Sequence, residues 1–158
     1  MQENLRRMIE LAERVFDVRN DPDQLSVNEE TLGRLRRIHP ATVTERADAN
    51  GPFAWMLLIP ATRPLMERFI AKEINERELL DLIPMPGSYD TIYLCSALVL
   101  PEFRRKGLAK ELVCNSVEAI RQDHPITSLF YWPFTREGDA LAQSVARQLK
   151  LPLMKRPS

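Results

Sequence analysis

A basic turn between two apolar segments contains the residues best suited to chemistry. Residues 99–109 read V-L-P-E-F-R-R-K-G-L-A, so an apolar strand is broken by proline, crosses three cations and enters a helix at Gly107. Successive backbone N–H groups in such a turn, together with the positive end of a helix dipole, form an anion site. Gly107 lets a ligand approach the backbone because it has no Cβ. The segment therefore predicts a phosphate or pyrophosphate cradle, with added positive charge from Arg104, Arg105 and Lys106.

Hydrophobic periodicity predicts the elements that position this turn. A nearly continuous apolar run over 91–100 predicts a buried strand before it, and residues 107–122 have the spacing of a helix after it. The other predicted elements are a strand over 128–132, helices over 3–18, 26–38 and 138–149, and a hairpin of strands 42–46 and 53–59 with its turn at Asn50-Gly51. Ser26 is the expected cap of the helix over 26–38. A further helix is capped by Thr62, has Pro64 in its first turn and carries an i,i+4 pair of Glu73 and Arg77. Together they predict one mixed α and β domain over residues 1–158.

Composition excludes several classes of protein. The 22 Lys and Arg residues balance 22 Asp and Glu residues, so the basic excess typical of nucleic-acid binding is missing and we expect no nucleic-acid partner. Apolar runs are far shorter than the ~20 residues of a membrane helix, and the first residues do not resemble a signal peptide. Cys95 and Cys114 lie in apolar segments and indicate no disulfide framework. We expect a cytoplasmic protein without a membrane partner.

Other catalytic patterns are missing from the sequence. The five glycines are too far apart for a dinucleotide-binding fingerprint or a nucleotide-hydrolase phosphate loop. There is no G-x-S-x-G elbow of a hydrolase. His39 and His124 each precede a proline, and no Cys or His stands at ligand spacing, so we expect no metal site.

The basic turn resembles the acyl-CoA motif of the GNAT superfamily of N-acyltransferases, written R/Q-x-x-G-x-G/A. The motif stands here as Arg104-Arg105-Lys106-Gly107-Leu108-Ala109. It follows a V-x-P-x-aromatic lead-in, Val99-Leu100-Pro101-Glu102-Phe103. The resemblance covers about residues 88–151, and the N-terminal half agrees in outline only.

This resemblance implies a mixed, mainly antiparallel sheet flanked by helices, with splayed central strands, and acetyl-CoA as co-substrate. The CoA pyrophosphate would lie on the turn amides, and the pantetheine arm would pair with the preceding strand where it splays from the strand over 128–132. A strand amide would stabilise the acyl carbonyl oxygen during transfer to a primary amine. The implied cofactor-binding residues are Leu98, Val99, Leu100, Arg104, Arg105, Lys106, Gly107, Leu108 and Ala109.

The sequence departs from the family pattern at the proton donor. Many members carry a tyrosine on the last helix that protonates the departing thiolate, but the corresponding position here holds Ala146. Asp139 stands closest to the usual asparagine at the start of that helix. Tyr93 and Tyr131 are therefore our candidate catalytic phenols. The alternatives are that the thiolate leaves unassisted or that the chain binds acyl-CoA without efficient transfer.

Two other functions compete with acetyl transfer. One is an acyl-CoA-binding regulatory module without catalysis, and the other is a protein-interaction domain with a disused cradle. The acceptor stays open between a histone-like peptide, a free amino acid and a small amine. A cluster of Arg34, Arg36 and Arg37 is expected to be a solvated helix face. A homodimer through strand or helix edges is compatible with such a fold.

Overall fold

A computed structural model describes residues 3–19, 25 and 28–157. Helices and strands build a five-stranded sheet with helices packed against it. The elements are α1 (Glu3–Arg19), α2 (Glu29–Ile38), β1 (Val43–Asp48), β2 (Gly51–Ala61), α3 (Arg63–Ile70), α4 (Glu76–Leu82), β3 (Thr91–Val99), α5 (Leu108–Arg121), β4 (Ser128–Tyr131), α6 (Arg136–Leu149) and β5 (Leu153–Lys155), with short 3-10 turns at Pro40–Thr42 and Pro101–Phe103.

The sheet is mixed, and its strands lie in the order β1-β2-β3-β4-β5. The two longer pairings, β1 with β2 and β2 with β3, are antiparallel, whereas β4 is parallel to both β3 and β5. Pairing between β3 and β4 begins at Thr91 with Ser128 and ends at Leu94 with Tyr131, although β3 continues to Val99. The predicted fold class, a mixed sheet flanked by helices with parting central strands, is confirmed.

Side-chain alternation divides the sheet into two covered faces. Tyr93 and Phe130 are register partners, and both rings contact Phe69 of α3. Their neighbours Leu94 and Tyr131 point to the opposite face because successive strand residues alternate. There they line a cavity together with residues of α6. The point where β3 and β4 part is therefore enclosed by helices.

The helix α1 packs over the far end of β3. Its residues Met8 and Leu11 form a small buried cluster with Leu100, against which Trp55 and Leu98 pack. Trp55 and Leu98 are register partners in β2 and β3, so they present one shared apolar surface to α1. This packing fixes the N-terminal helix beside the strand end that leads into the basic turn.

The helix predicted to begin at Thr62 and to include Glu73 and Arg77 is two helices. Lys72 adopts a left-handed backbone with φ of 64°, which ends α3. Asn75 then starts α4 with a capping box, in which its side chain accepts the Glu78 amide and the Glu78 side chain accepts the Asn75 amide. The apolar spacing continues across the break, and for this reason periodicity alone predicted one helix.

Two side-chain interactions predicted for that helix also differ. Glu73 lies before α4 and forms an ion pair of 3.9 Å with Arg68 instead of supporting Arg77 along a helix. Thr62 occupies the N-cap position of α3 but makes no capping hydrogen bond with its side chain. Pro64 lies in the first turn, as predicted.

Two other helix starts are displaced from their predicted positions. Ser26 lies outside the described residues, and Asn28 is the residue that caps α2. The last helix begins before Gly138 because the Thr135 hydroxyl accepts the Gly138 amide at 2.9 Å. None of the helices in the described part of the chain combines the length and the apolar character needed to cross a bilayer.

The strand β5 was not predicted. Its three residues are too short to display a period of two, and Leu153 pairs with Leu129 at the sheet edge. The hairpin, by contrast, is confirmed, since β1 ends at Asp48 and β2 begins at Gly51.

Candidate functional site

A cleft opens where β3 leaves β4. It has a volume of about 150 Å³ and lies between β3, the segment that follows β4, and α6. Beyond Leu94, no strand of the described chain pairs with β3 on the edge that faced β4. The edge from Ser96 to Leu98 therefore turns backbone hydrogen-bonding groups toward the cleft. An extended ligand that carries amides can satisfy such groups as an added strand.

A β-bulge bends β3 at the same point. The register with β2 runs from Leu58 opposite Leu94 to Leu57 opposite Ser96, which leaves Cys95 as the extra residue. A bulge disrupts the ladder locally and re-aims the strand. Here it coincides with the last residue pair between β3 and β4, so two irregularities combine to open the sheet at one place.

The basic turn lies at the end of β3 and forms the start of α5. Gly107 is the N-cap of α5 with φ of 74°, and it supplies no side-chain cap. The first helical hydrogen bond is donated by Glu111 to the Gly107 carbonyl, which leaves the amides from Gly107 to Lys110 without helical partners. A Cβ at Gly107 would meet nothing within 4 Å, so the approach to these amides is open. This geometry fits the predicted anion cradle.

The basic side chains of the turn have two different roles, since one fixes the shape of the turn and the other two supply positive charge. The Arg104 guanidinium donates from Nε to the Val99 carbonyl at 2.8 Å, which ties the turn to the end of β3. Arg105 and Lys106 are exposed. Arg105 has a positive φ of 64°, which helps the turn to direct its amides outward. We therefore expect Arg105 and Lys106 to supply charge, and Arg104 to hold the shape of the turn.

The one carboxylate in this turn, Glu102, is neutralised by α1. Arg7 donates to both of its oxygens, at 2.6 and 2.7 Å. This hydrogen bonding is the largest cause that lowers the pKa of Glu102 to about 2. The pair keeps negative charge at the turn compensated and ties α1 to it.

The three strand residues predicted to bind the cofactor differ in their availability. Leu98 lines the cleft. The Val99 carbonyl is taken by Arg104, and the Leu100 amide donates to the Phe53 carbonyl at 2.9 Å. The backbone available to a ligand therefore lies mostly before Val99, nearer the bulge. Leu108 and Ala109 are half-buried at the first turn of α5, and their amides belong to the cradle.

Tyr131 lies at the cleft, bonded to a carboxylate of α6. Its hydroxyl donates to Asp139, and its side chain lines the cleft. Burial, followed by the hydrogen bond and charge of Asp139, raises the pKa of Tyr131 to about 12. The same hydrogen bond is the main cause that lowers the pKa of Asp139. The pair is thus a neutral phenol donating to an ionised carboxylate at neutral pH.

Tyr93 lies away from the cleft. It is fully buried, with its hydroxyl donating to Glu76 at 2.5 Å and its ring packed on Phe69 and Phe130. The cleft lining does not include Tyr93 among the described residues. The structure therefore brings only one of the two candidate phenols to the cleft. Ala146, at the position where a tyrosine was expected, is buried in α6 and is likewise outside this lining.

A second cavity, which we call the α2 cavity, adjoins the cleft. It has a volume of about 310 Å³ and shares Leu57, Ser96 and Leu98 with the cleft. Its other lining residues come from α1, α2, β1 and β2, namely Ala12, Leu32, Arg36, Val43, Thr44, Glu45, Trp55 and Met56. The two spaces meet at β3 immediately after the bulge.

Sequence reasoning missed the α2 cavity because no local motif marks it. The cluster of Arg34, Arg36 and Arg37 was its only signal, and the structure separates the three residues. Arg34 donates to the Asp81 carbonyl at 2.9 Å, whereas Arg36 lines the α2 cavity and Arg37 does not. Arg36 and Arg37 are exposed, as expected of a solvated face, whereas Arg34 is half-buried against α4.

Comparisons with known proteins found similarity to solved structures and none to family models or curated proteins. Among solved structures, the chain is similar to one in the NatB acetyltransferase complex bound to a bisubstrate inhibitor, with a TM-score of 0.47 and 15% sequence identity. The similarity covers 82% of this chain and 60% of that chain.

Proposed function

We propose that this chain is an N-acetyltransferase of the GNAT type that uses acetyl-CoA to acetylate a primary amine in a ternary complex. The observation that carries the proposal is the parting of β3 and β4 into a cleft that shares lining residues with the α2 cavity, on the strand that leads into the amide cradle of α5. A donor with an anionic end and an extended amide-bearing arm matches the amide cradle and the cleft beside β3. A separate acceptor would bind in the α2 cavity.

The donor would be held by backbone groups along most of its length. The pyrophosphate would accept hydrogen bonds from the amides that follow Gly107, with Arg105 and Lys106 adding charge. The pantetheine arm would extend along the free edge of β3 between Ser96 and Leu98. This placement directs the thioester toward the bulge at Cys95, where the α2 cavity meets the cleft.

Transfer requires one bond to form as another breaks. The amine nitrogen attacks the thioester carbon, and a β3 amide near the bulge would stabilise the negative charge that develops on the carbonyl oxygen. The C–S bond then breaks, the CoA thiolate leaves, and the nitrogen passes its proton to water, from which the thiolate can take up a proton. A phenol with a pKa of about 12 is a weaker acid than a thiol, whose pKa is about 8.5, so complete proton transfer from the phenol to the thiolate is unfavourable. Its one hydroxyl proton is held by Asp139, so Tyr131 can serve the leaving group only by turning this hydrogen bond from Asp139 to the thiolate sulfur, and we assign it that role.

Amine-dependent release of CoA tests this function. Purified protein with acetyl-CoA and a panel of primary amines should release free thiol at a rate that saturates with amine. Gly107→Glu should lower kcat/KM for acetyl-CoA about a hundredfold, and Asn115→Glu, which adds the same charge at an exposed position of α5 outside both cavities, should retain the release. Release that is independent of both amine and Gly107 would contradict the proposal.

The geometry of Tyr131 also supports a second candidate, an acyl-CoA-binding module without catalysis. The only phenol that lines the cleft within the described residues donates its proton to Asp139, and the buried Ala146 supplies no alternative. Saturable binding of acetyl-CoA with no thiol release for any amine would favour this second function.

A further inference from the structure

The α2 cavity has a composition that identifies the class of acceptor. We propose that the acceptor is a free amino acid with an apolar side chain, bound in this cavity with its carboxylate on Arg36. This proposal rests on the acetyltransferase function proposed above, because it assigns the amine to the space that adjoins the thioester.

Size limits the part of an acceptor that the α2 cavity can enclose. A volume of about 310 Å³ equals that of about ten water molecules. It lies at the lower end of the range for ligand pockets. This volume accommodates an amino acid, a single-ring amine or the first residue of a peptide, and the charges at the cavity must distinguish among them.

The walls favour an apolar body. Most of the lining residues are aliphatic, and Trp55 adds an aromatic surface; the aliphatic ones are Ala12, Leu32, Val43, Met56, Leu57 and Leu98. An apolar side chain gains free energy by leaving water for such walls. A polyamine carries several strongly hydrated ammonium groups, and among the described lining residues it would find a single carboxylate, Glu45, to compensate their lost hydration.

The charges at the cavity indicate a carboxylate on the acceptor. Among the described lining residues, Glu45 is the only acid, and its oxygen already accepts the Trp55 indole N–H at 3.2 Å. Arg36 is the only base among them; its side chain is exposed to solvent as well as lining the cavity, and no hydrogen bond or ion pair engages its guanidinium within the described chain. An arginine at an apolar cavity matches a carboxylate through two parallel hydrogen bonds. A peptide N-terminus or a simple amine lacks that group.

The same cavity brings the amine to the reacting carbon. Ser96 lines both the α2 cavity and the cleft, and it directly follows the bulged residue Cys95. The proposal requires that an amino acid with its carboxylate on Arg36 present its amine, which is attached to the same carbon, at β3 beside Ser96. Arg36 is thus a specificity residue that selects the acceptor and takes no part in the bond exchange.

A matched set of acceptors tests each element of this proposal. L-Phenylalanine has the carboxylate and the apolar body, 2-phenylethylamine and phenylalanine amide lack the carboxylate, and glycine lacks the body. We expect kcat/KM for phenylalanine to exceed each of the others by about tenfold or more. The amine and the amide lose the charge-assisted hydrogen bond to Arg36, and glycine loses the burial of the ring. Equal values, or a preference for 2-phenylethylamine, would overturn the proposal and indicate a simple arylalkylamine acceptor. A preference for the amide would instead indicate a peptide N-terminus.

Variants of α2 locate the selectivity. Arg36→Met should lower the preference for phenylalanine over its amide by about tenfold, mainly through KM. Arg37→Met removes a neighbouring charge that does not line the cavity, and it should preserve the preference. An unchanged preference in Arg36→Met would overturn the assignment.

Binding measurements separate this proposal from the function on which it rests. Loss of acetyl-CoA binding would overturn the function and the acceptor together. If acetyl-CoA binds but no amine is turned over, phenylalanine is titrated into the protein–CoA complex. Binding that Arg36→Met weakens would support the amino-acid site, and no binding would overturn it.

Discussion

Substitution of Gly107 separates backbone strain from obstruction of the anion cradle. Gly107 has φ of 74° and open space at its Cβ position, so alanine meets no atom but must adopt a left-handed backbone. That conformation costs a non-glycine residue about 1–2 kcal/mol, which we expect as the loss in unfolding free energy. Glutamate has a comparable backbone cost and also places a carboxylate beside the amides of α5.

The carboxylate determines the expected loss of affinity. Two like charges 5 Å apart repel by roughly 1 kcal/mol in water and by about 3 kcal/mol at an effective dielectric constant of about 20. Both phosphates of the pyrophosphate contribute, and about 1.4 kcal/mol corresponds to tenfold in affinity. Gly107→Glu should therefore bind acetyl-CoA about a hundredfold more weakly than Gly107→Ala.

Calorimetric titration and thermal unfolding of both variants check this prediction. Asn115→Glu serves as the charge control, because it adds the same charge at an exposed position of α5 outside both cavities. Affinity for acetyl-CoA in Gly107→Glu within about threefold of that in Gly107→Ala would refute the cradle.

Three further predictions concern titrating groups. Burial and Asp139 raise the pKa of Tyr131 from 10.0 to about 12, so the stability contributed by the protonated phenol is full below pH 10 and is lost as pH rises to 12. The difference in unfolding free energy between wild type and Tyr131→Phe should therefore shrink over that range. A constant difference in denaturant titrations would show that burial and Asp139 do not raise this pKa. Arg7 lowers the pKa of Glu102 from 4.5 to about 2, so the stability that Glu102 contributes above pH 4.5 should disappear as pH falls to 2, whereas Glu102→Gln should show no such loss in the same titration. Tyr93→Phe removes the hydrogen bond to the buried Glu76 and should lower the unfolding free energy by about 1–3 kcal/mol. The rate of CoA release should not change, because Tyr93 lies away from the cleft. A slower rate in a stably folded variant would instead assign catalysis to Tyr93.

The parts of the site that follow from local chemistry could be predicted from the sequence. The proline after β3, the cations and Gly107 lie within eleven consecutive residues, so their order alone indicates a strand, a turn and a helix start. The buried run over 91–100 indicated a central strand because it is apolar on both faces. These features depend on neighbours in sequence.

The parts that depend on distant neighbours could not be predicted. The α2 cavity is built by α1, α2, β1, β2 and β3, and the side chains of Trp55 and Leu98 share a face only through the register of the sheet. The choice between Tyr93 and Tyr131 likewise follows from which face each strand residue takes. The end of α3 depends on the backbone of Lys72, which a hydrophobic pattern does not encode.

Titration of the purified chain with acetyl-CoA, and separately with CoA and ATP, tests the central claim most directly. We expect saturable one-site binding of both CoA species without ATP binding, because the proposed cradle would hold a pyrophosphate and the β3 edge would hold the arm that ATP lacks. Equal binding of ATP would limit the site to phosphate recognition. Failure to bind any of the three ligands would contradict the account.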